Sequence, residues 1–188
     1  MNWKRNLMFA VGLMVILAGT ALAQNDTVKA EVFGGFSYLR TAGSNNTGGW
    51  NGQAALYANK WIGGVADIAG HYLSKDSGTG RPAGAIYTIL AGPQIVKRAG
   101  RLSGFGHFMI GVAHVGQGLP MKGGTTLSGS NNLTILAGGG VDVNVSNKVA
   151  VRVIQADWER IRTKDPITFN LEGSNNFRLS MGIVFKVK

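Results

Sequence analysis

The segment "RLSMGIVFKVK" (residues 178–188), with which the chain ends, decides the fold because its side chains alternate between two kinds. Successive side chains of an extended backbone point to opposite faces. One face carries Leu179, Met181, Ile183, Phe185 and Val187, and the other carries Arg178, Ser180, Gly182 and Lys186. Terminal residues fray unless they are paired. The segment is therefore either the edge strand of a soluble sandwich or the strand that closes a barrel.

The same two-residue period recurs along the chain and predicts eight strands. They span residues 29–40, 49–59, 61–73, 84–96, 102–115, 132–145, 149–162 and 178–188. These segments reach the roughly 9 to 11 residues that a tilted membrane strand needs. High glycine content, 29 residues against only 4 prolines, also favours strands over helices.

The predicted connections alternate in length. Short turns lie near residue 60, at 97–101 and at 146–148, whereas longer connections lie at 41–48, 74–83, 116–131 and 163–174. This alternation with an even strand number is typical of outer-membrane barrels, whose short turns face the periplasm. A sheet in a bilayer must close on itself, because no water is present to satisfy free edges. We therefore predict an all-β fold, an eight-stranded antiparallel up-and-down transmembrane β-barrel in which the last strand pairs with the first.

The start of the chain predicts export. Lys4 and Arg5 precede an apolar run at residues 7–19, and "ALA" at 21–23 provides small residues for a signal peptidase. The run is shorter than the roughly 18 apolar residues of a transmembrane helix. We expect a cleaved signal peptide at 1–23 and one barrel domain at 24–188.

Composition limits the partners. Without residues 1–23 the chain has 165 residues, with 17 Lys and Arg against 9 Asp and Glu, a net charge of +8. Because no compact basic run with interleaved aromatics occurs, this charge favours an anionic membrane surface over nucleic acid. The chain has no cysteine, so backbone hydrogen bonds and packing must stabilise it without disulfides.

Three segments carry a resemblance to a known family: "EVFGGFSYLR" (31–40), "GGGVDVNVSNKVAVRVIQADW" (138–158) and "NNFRLSMGIVFKVK" (175–188). From about Lys29 onward the chain resembles small eight-stranded outer-membrane barrels of the outer membrane protein A transmembrane-domain type. The resemblance implies a monomer in the outer membrane of a Gram-negative-type cell, in contact with outer-membrane lipid and lipopolysaccharide. It also implies recognition by the barrel-assembly machinery through a C-terminal signal, whose spacing is matched by Ser180, Gly182, Phe185 and Val187. The chain ends "VK", where many members end on an aromatic residue.

An eight-stranded barrel is narrow, and side chains fill its interior. The polar faces of the predicted strands supply a lumen charge network of Glu31, Asp67, His71, His107, Asp142, Arg152 and Arg178. Buried charges must pair, and we expect Glu31 to pair with Arg178 across the closing seam and Asp142 with Arg152. The network is either purely structural or the gate of a pore.

The seventh strand breaks the alternation. If Arg152 points inward, then Gln155, Asp157 and Glu159 would face lipid, where charge is costly. A β-bulge near Ile154 and Gln155 would return them to the lumen. Continuous strand pairing through this segment would rule the bulge out.

Catalytic signals are weak. The sequence contains no HExxH motif, phosphate-binding loop or Cys/His cluster, and neither His107 nor His114 is followed two residues later by the Ser that the resembling lipid A deacylases need. We predict no catalytic residue, cofactor or metal. The expected function is a non-catalytic outer-membrane barrel that stabilises the envelope or binds through its loops. Loop-side cations that could meet lipopolysaccharide are Lys75, Arg81, Lys122, Arg162 and Lys164.

Two alternatives remain: a soluble exported lipocalin-like barrel that binds an apolar ligand, and a lipid A-modifying barrel enzyme. A soluble barrel would be polar outside and apolar inside. The orientation of the apolar face therefore separates the first alternative from a membrane barrel.

Overall fold

Eight antiparallel strands form a closed barrel in the computed structural model, which describes residues 28–42, 46–72, 84–115, 130–164 and 171–188. The strands are β1 (Ala30–Arg40), β2 (Asn46–Tyr57), β3 (Ile62–Tyr72), β4 (Ala85–Ala99), β5 (Leu102–Val115), β6 (Ser130–Asn144), β7 (Val149–Lys164) and β8 (Leu171–Val187). Each strand pairs with the next, and β8 pairs with β1. The predicted eight-stranded up-and-down barrel is confirmed. The predicted signal peptide at 1–23 lies outside the described residues.

Several strands are longer than predicted at the end that faces the long connections. β8 begins at Leu171, and its first residues pair with the end of β7 although they do not alternate in hydropathy. Backbone amides pair whatever side chain they carry, so hydropathy alone predicts strands that are too short at these ends. Within the described parts of the chain, no helix is long and apolar enough to cross a membrane.

The two faces of the barrel wall differ sharply in chemistry. Large apolar side chains point outward and are about half exposed, among them Val32, Phe36, Ile68, Ile89, Ile110, Ile183 and Phe185. Buried inward-facing positions hold most of the charged and amide side chains described below. An apolar exterior with a polar interior is the arrangement of a barrel that faces lipid.

Apolar clusters also fill parts of the lumen. Leu39, Ile86, Ala113 and Ile161 form one cluster near the long connections. A second cluster contains Ala55, Val65, Leu90, Met109 and Leu136, and a third contains Phe33, Ala150 and Val184. The lumen is therefore packed with side chains above, beside and below its polar groups.

A β-bulge interrupts β7, as the alternation predicted. The register against β8 shifts between Arg152 and Gln155, and the register against β6 shifts opposite Val141 and Asp142. Val153 and Ile154 consequently both point outward, with 49% and 51% of their surface exposed. The bulge lies one residue earlier than predicted, and it returns Gln155, Asp157 and Glu159 to the lumen, where each is fully buried.

Glycines allow the closing strands to approach. Gly35 of β1 lies opposite Gly182 of β8. A Cβ on Gly35 would lie 2.1 Å from the Met181 carbonyl oxygen, and one on Gly182 would lie 2.3 Å from the Gly34 carbonyl oxygen. The seam between the first and last strands therefore requires glycine at both positions.

Candidate functional site in the barrel lumen

Six buried side chains form a closed ring of hydrogen bonds across the lumen. The members of this lumen ring are Gln53 of β2, Asp67 of β3, Arg152, Gln155 and Asp157 of β7, and Arg178 of β8. The ring joins the first strands to the last ones across the barrel interior. It therefore links opposite walls as well as neighbouring strands.

Every link of the lumen ring is short. Arg178 donates to both carboxylate oxygens of Asp67 at 2.9 Å and to Asp157 Oδ2 at 3.0 Å. Gln155 Nε2 donates to Asp157 Oδ2 at 2.7 Å, and Gln155 Oε1 accepts from Arg152 Nη1 at 2.7 Å. Gln53 completes the ring, since it accepts from Arg152 Nη1 at 2.6 Å and donates to Asp67 at 2.8 Å.

Further contacts hold the two arginines. Asp142 accepts from Arg152 Nε at 2.8 Å. The Arg152 guanidinium also lies 4.3 Å from the Phe33 ring centroid and 4.0 Å from that of Phe105. Aromatic faces attract a cation, most strongly where water is excluded. Arg152 is thus fixed by one carboxylate, two amides and two aromatic rings.

Asp157 is contacted by three polar side chains in the lumen. Its Oδ2 accepts from Arg178 and Gln155, and its Oδ1 lies 2.8 Å from His107 Nε2. The sequence prediction did not select Asp157 as a site residue. The break in alternation at residues 155–159 was the signal that could have identified it.

One of the two expected ion pairs forms and the other does not. Asp142 pairs with Arg152, but Arg178 pairs with Asp67 and Asp157, and the predicted Glu31–Arg178 pair is wrong. Strand register explains the error: Glu31 lies opposite Lys186, eight residues along the seam from Arg178. At about 3.3 Å per residue, this separation is roughly 26 Å, beyond the reach of both side chains.

Glu31 instead belongs to a second polar group at the short-turn end. Arg98 Nη2 donates to it at 2.9 Å, and the Tyr57 hydroxyl donates at 2.6 Å. Gln94 Nε2 donates to the same hydroxyl at 2.7 Å. Lys186 makes a hydrogen bond to Asn144 nearby along the rim. The sequence does not predict Arg98 as a lumen residue, because the hydropathy pattern predicts a turn at residues 97–101, whereas β4 continues to Ala99.

The remaining predicted lumen residues are also buried inside. His71 is fully buried, and its Nε2 lies 2.9 Å from Ser37 Oγ, which accepts from Ser180 at 3.0 Å. Glu159 is fully buried, and neither of its carboxylate oxygens has a hydrogen-bond partner in the described part of the chain. All seven residues of the predicted charge network thus lie in the lumen, divided among three hydrogen-bonded groups.

The other predicted sets are placed only in part. Ser180 and Gly182 lie on the inward face of β8, whereas Phe185 and Val187 are half exposed outside. Of the expected loop-side cations, Arg162 and Lys164 lie at the end of β7, while Lys75, Arg81 and Lys122 lie outside the described residues. Among described residues, no three or more His, Cys, Asp or Glu are grouped to hold a metal ion.

Comparison with known proteins identifies similar structures and no similar sequence. No family model matches the sequence, and no curated protein matches it. Neisserial surface protein A has 12% identity and a TM-score of 0.62, over 84% of this chain and 96% of that chain. OprG of Pseudomonas aeruginosa has 9% identity and a TM-score of 0.53, over 87% and 99%.

A third similar structure is Ail, the attachment invasion locus protein of Yersinia pestis, in complex with the heparin analogue sucrose octasulfate. It has 16% identity and a TM-score of 0.52, over 86% of this chain and 99% of that chain. At these identities the likeness concerns the fold alone.

Proposed function

Because the chain has the fold of the small eight-stranded outer-membrane β-barrels, we propose that it is an outer-membrane protein of a Gram-negative-type cell. Residues 1–23 act as the signal peptide for export and are then removed. Ser180, Gly182, Phe185 and Val187 present the assembly signal to the barrel-assembly machinery. The short turns and both chain ends face the periplasm.

The orientation of the two barrel faces carries this proposal. Side chains such as Ile95, Phe36 and Phe185 expose 62%, 56% and 55% of their surface, whereas the lumen ring is buried. A soluble lipocalin-like barrel would need the reverse, with polar residues outside and an apolar cavity inside. The observed arrangement favours lipid on the outside.

We propose a structural, non-catalytic role for the lumen. The lumen ring and the three apolar clusters leave the interior filled by side chains. His107, which was considered for lipid A chemistry, points inward and contacts Asp157, and His71 points inward and contacts Ser37. A lipid substrate would meet the outer wall, on the opposite face of these strands, so the geometry favours rigidity of the barrel over catalysis.

Binding activity in this proposal belongs to the side of the long connections. Lys75, Arg81, Lys122, Arg162 and Lys164 would form charge-assisted hydrogen bonds with lipopolysaccharide phosphates. The complex of Ail with sucrose octasulfate shows that a protein of this fold binds a polyanionic sugar. A monomer that binds through its loops and stabilises the envelope is the function we propose.

Two measurements test this function. The processed chain in detergent micelles should migrate faster on a gel unboiled than boiled, and its strand-rich circular dichroism spectrum should require detergent. The same strand content in plain buffer would overturn the membrane assignment and favour a soluble ligand-binding barrel. In planar bilayers the wild-type protein should show no sustained conductance, and a stable open level would contradict the filled lumen.

A further inference from the structure

Exposed cations surround the short-turn end of the barrel. Those described as exposed are Lys60, Lys97, Arg101, Lys148 and Lys188. The acids described at this end are Glu31 and Asp142, and both are buried and paired with arginine. In the described part of the chain, the exposed charged side chains of this rim are therefore all cationic.

A groove in the outer wall begins beneath this rim. Its volume is about 760 Å³, and its walls include Trp61 and Ile95, which expose 59% and 62% of their surface. Gly104 and Gly106 of β5 form part of its floor, where they leave the wall without side chains. A Cβ on Gly104 would meet nothing within 4 Å, so this position opens directly into free space.

The edge of the groove is held in place by hydrogen bonds. Asn59 Oδ1 accepts from the backbone amides of Trp61 and Ile62 at 2.8 and 2.9 Å. The Val96 amide donates to the Trp61 carbonyl at 2.7 Å, which ties the β2–β3 turn to β4. Lys60 Nζ lies 4.7 Å from the centroid of the Trp61 ring. Little ordering is therefore needed when a ligand binds, which favours affinity.

The groove has a charged mouth and an apolar interior. Lys97 lies opposite Gly104 at the rim, and Ile95 lies opposite Gly106 two residues further from the rim. The positions of Lys97 and Ile95 are roughly 7 Å apart along the strand. An amphiphile with an anionic head and an extended hydrocarbon chain matches this order of charge and apolar surface.

We propose that this groove binds one anionic glycerophospholipid, such as phosphatidylglycerol, from the leaflet on the short-turn side. Its phosphate faces Lys60 and Lys97, and one acyl chain lies over Gly104 and Gly106 beside Trp61. Charge complementarity favours this occupant over a second copy of the chain, which would bring two cationic rims together. The inference rests on the proposed function, since it requires the barrel to span a bilayer.

Fluorescence quenching by brominated lipids tests the proposal. Trp50→Phe and Trp158→Phe leave Trp61 as the reporter in the processed chain, reconstituted in phosphatidylcholine vesicles. Brominated phosphatidylglycerol should occupy the site in preference to brominated phosphatidylcholine, by roughly fivefold for each lysine near the phosphate. Lys97→Gln should reduce this preference roughly fivefold. Lys148→Gln removes the same charge from a different turn of the rim and should leave the preference unchanged.

A steric variant separates a groove from general surface charge. Gly104→Leu fills the open floor and should abolish the preference for phosphatidylglycerol. Gly34→Leu is the matched control, because a Cβ on Gly34 also meets nothing within 4 Å and β1 lies on a different part of the wall. It should keep the preference.

The outcomes that overturn the inference are distinct from failure of the proposed function. Equal quenching by the two brominated lipids, or a preference that survives Gly104→Leu, would show that no anionic lipid site exists there. If quenching of Trp61 by both lipids decreased as the protein-to-lipid ratio increased, a second copy of the chain would occupy the groove. No quenching by either lipid would show that the barrel wall is not in the bilayer, which would overturn the proposed function itself.

Discussion

Replacing Asp157 with asparagine should strongly destabilise the barrel. The change keeps the size of the side chain but removes its charge and replaces one acceptor oxygen by an amide donor. Oδ2 accepts from both Arg178 and Gln155, and Oδ1 lies beside His107 Nε2. If the NH₂ group of the new amide takes the place of Oδ2, it faces the two donors that the carboxylate accepted from; if it takes the place of Oδ1, His107 must change tautomer to accept from it. In both orientations Arg178 loses the negative charge of residue 157.

The size of the effect follows from these contacts. A hydrogen bond to a charged group contributes about 1.5 to 3 kcal/mol, and a broken buried ion pair costs about 3 to 5 kcal/mol. Arg178 keeps its two hydrogen bonds to Asp67 at 2.9 Å, so part of its charge remains compensated. We therefore expect Asp157→Asn to lower the free energy of unfolding by about 3 kcal/mol, at the lower end of that range.

Urea unfolding of the protein in phospholipid vesicles, followed by tryptophan fluorescence and by gel mobility, measures this loss. Glu159→Gln is the matched control, since Glu159 is also a fully buried acid of β7 but its oxygens have no hydrogen-bond partner in the described residues. The control should not lower the free energy of unfolding by more than about 1 kcal/mol, because it breaks no hydrogen bond among the described residues and removes a buried charge. Equal losses in the two variants would refute the reasoning, because burial of a carboxylate alone would then explain both.

Three further changes test the seam between β1 and β8, the polar group around Glu31 at the short-turn end, and assembly. Gly35→Ala should prevent the heat-modifiable form, because its Cβ would lie 2.1 Å from a backbone oxygen, whereas Gly34→Ala meets nothing within 4 Å and should fold normally on the same gel. Tyr57→Phe should cost about 1 to 3 kcal/mol in urea unfolding, because it leaves Glu31 without the hydroxyl that donates to it at 2.6 Å. A loss below about 0.5 kcal/mol would show that this contact is not needed. Phe185→Ala should reduce the amount of barrel assembled in cells, measured on membranes, while refolding in detergent stays close to wild type. An equal loss in both would indicate a folding defect and contradict the assembly signal.

Alternation of side chains was enough to predict the barrel, since it reports which face each residue takes. It was not enough to predict partners across the lumen. Glu31 and Arg178 do share the inward face of adjacent strands, but eight residues of register separate them along the seam. Arg178 instead meets Asp67, 111 residues away in sequence, and only the tilt and curvature of the closed wall bring them together.

Alternation also did not predict the apolar residues that point into the lumen. Phe33 and Leu39 are apolar residues on the otherwise polar face of β1. In the structure Phe33 packs with Ala150 and Val184 and lies against the Arg152 guanidinium. A narrow lumen is filled by apolar side chains that pack between its charged groups as well as by the counter-ions of those groups. A pattern that only divides residues into polar and apolar does not predict such inward apolar side chains.

The lumen ring has a consequence for the order of folding. Two of its six links, from Arg152 to Gln53 and from Arg178 to Asp67, join residues 99 and 111 positions apart, so these two cannot form within one hairpin. Before β8 reaches β1, Asp67 of β3 lacks its Arg178 counter-ion, which comes from the other end of the sheet. An open sheet in hydrocarbon would therefore expose unpaired charge, which is costly there. Closure and charge neutralisation then occur in one step, so half-closed intermediates should be sparsely populated and the transition should be all-or-none.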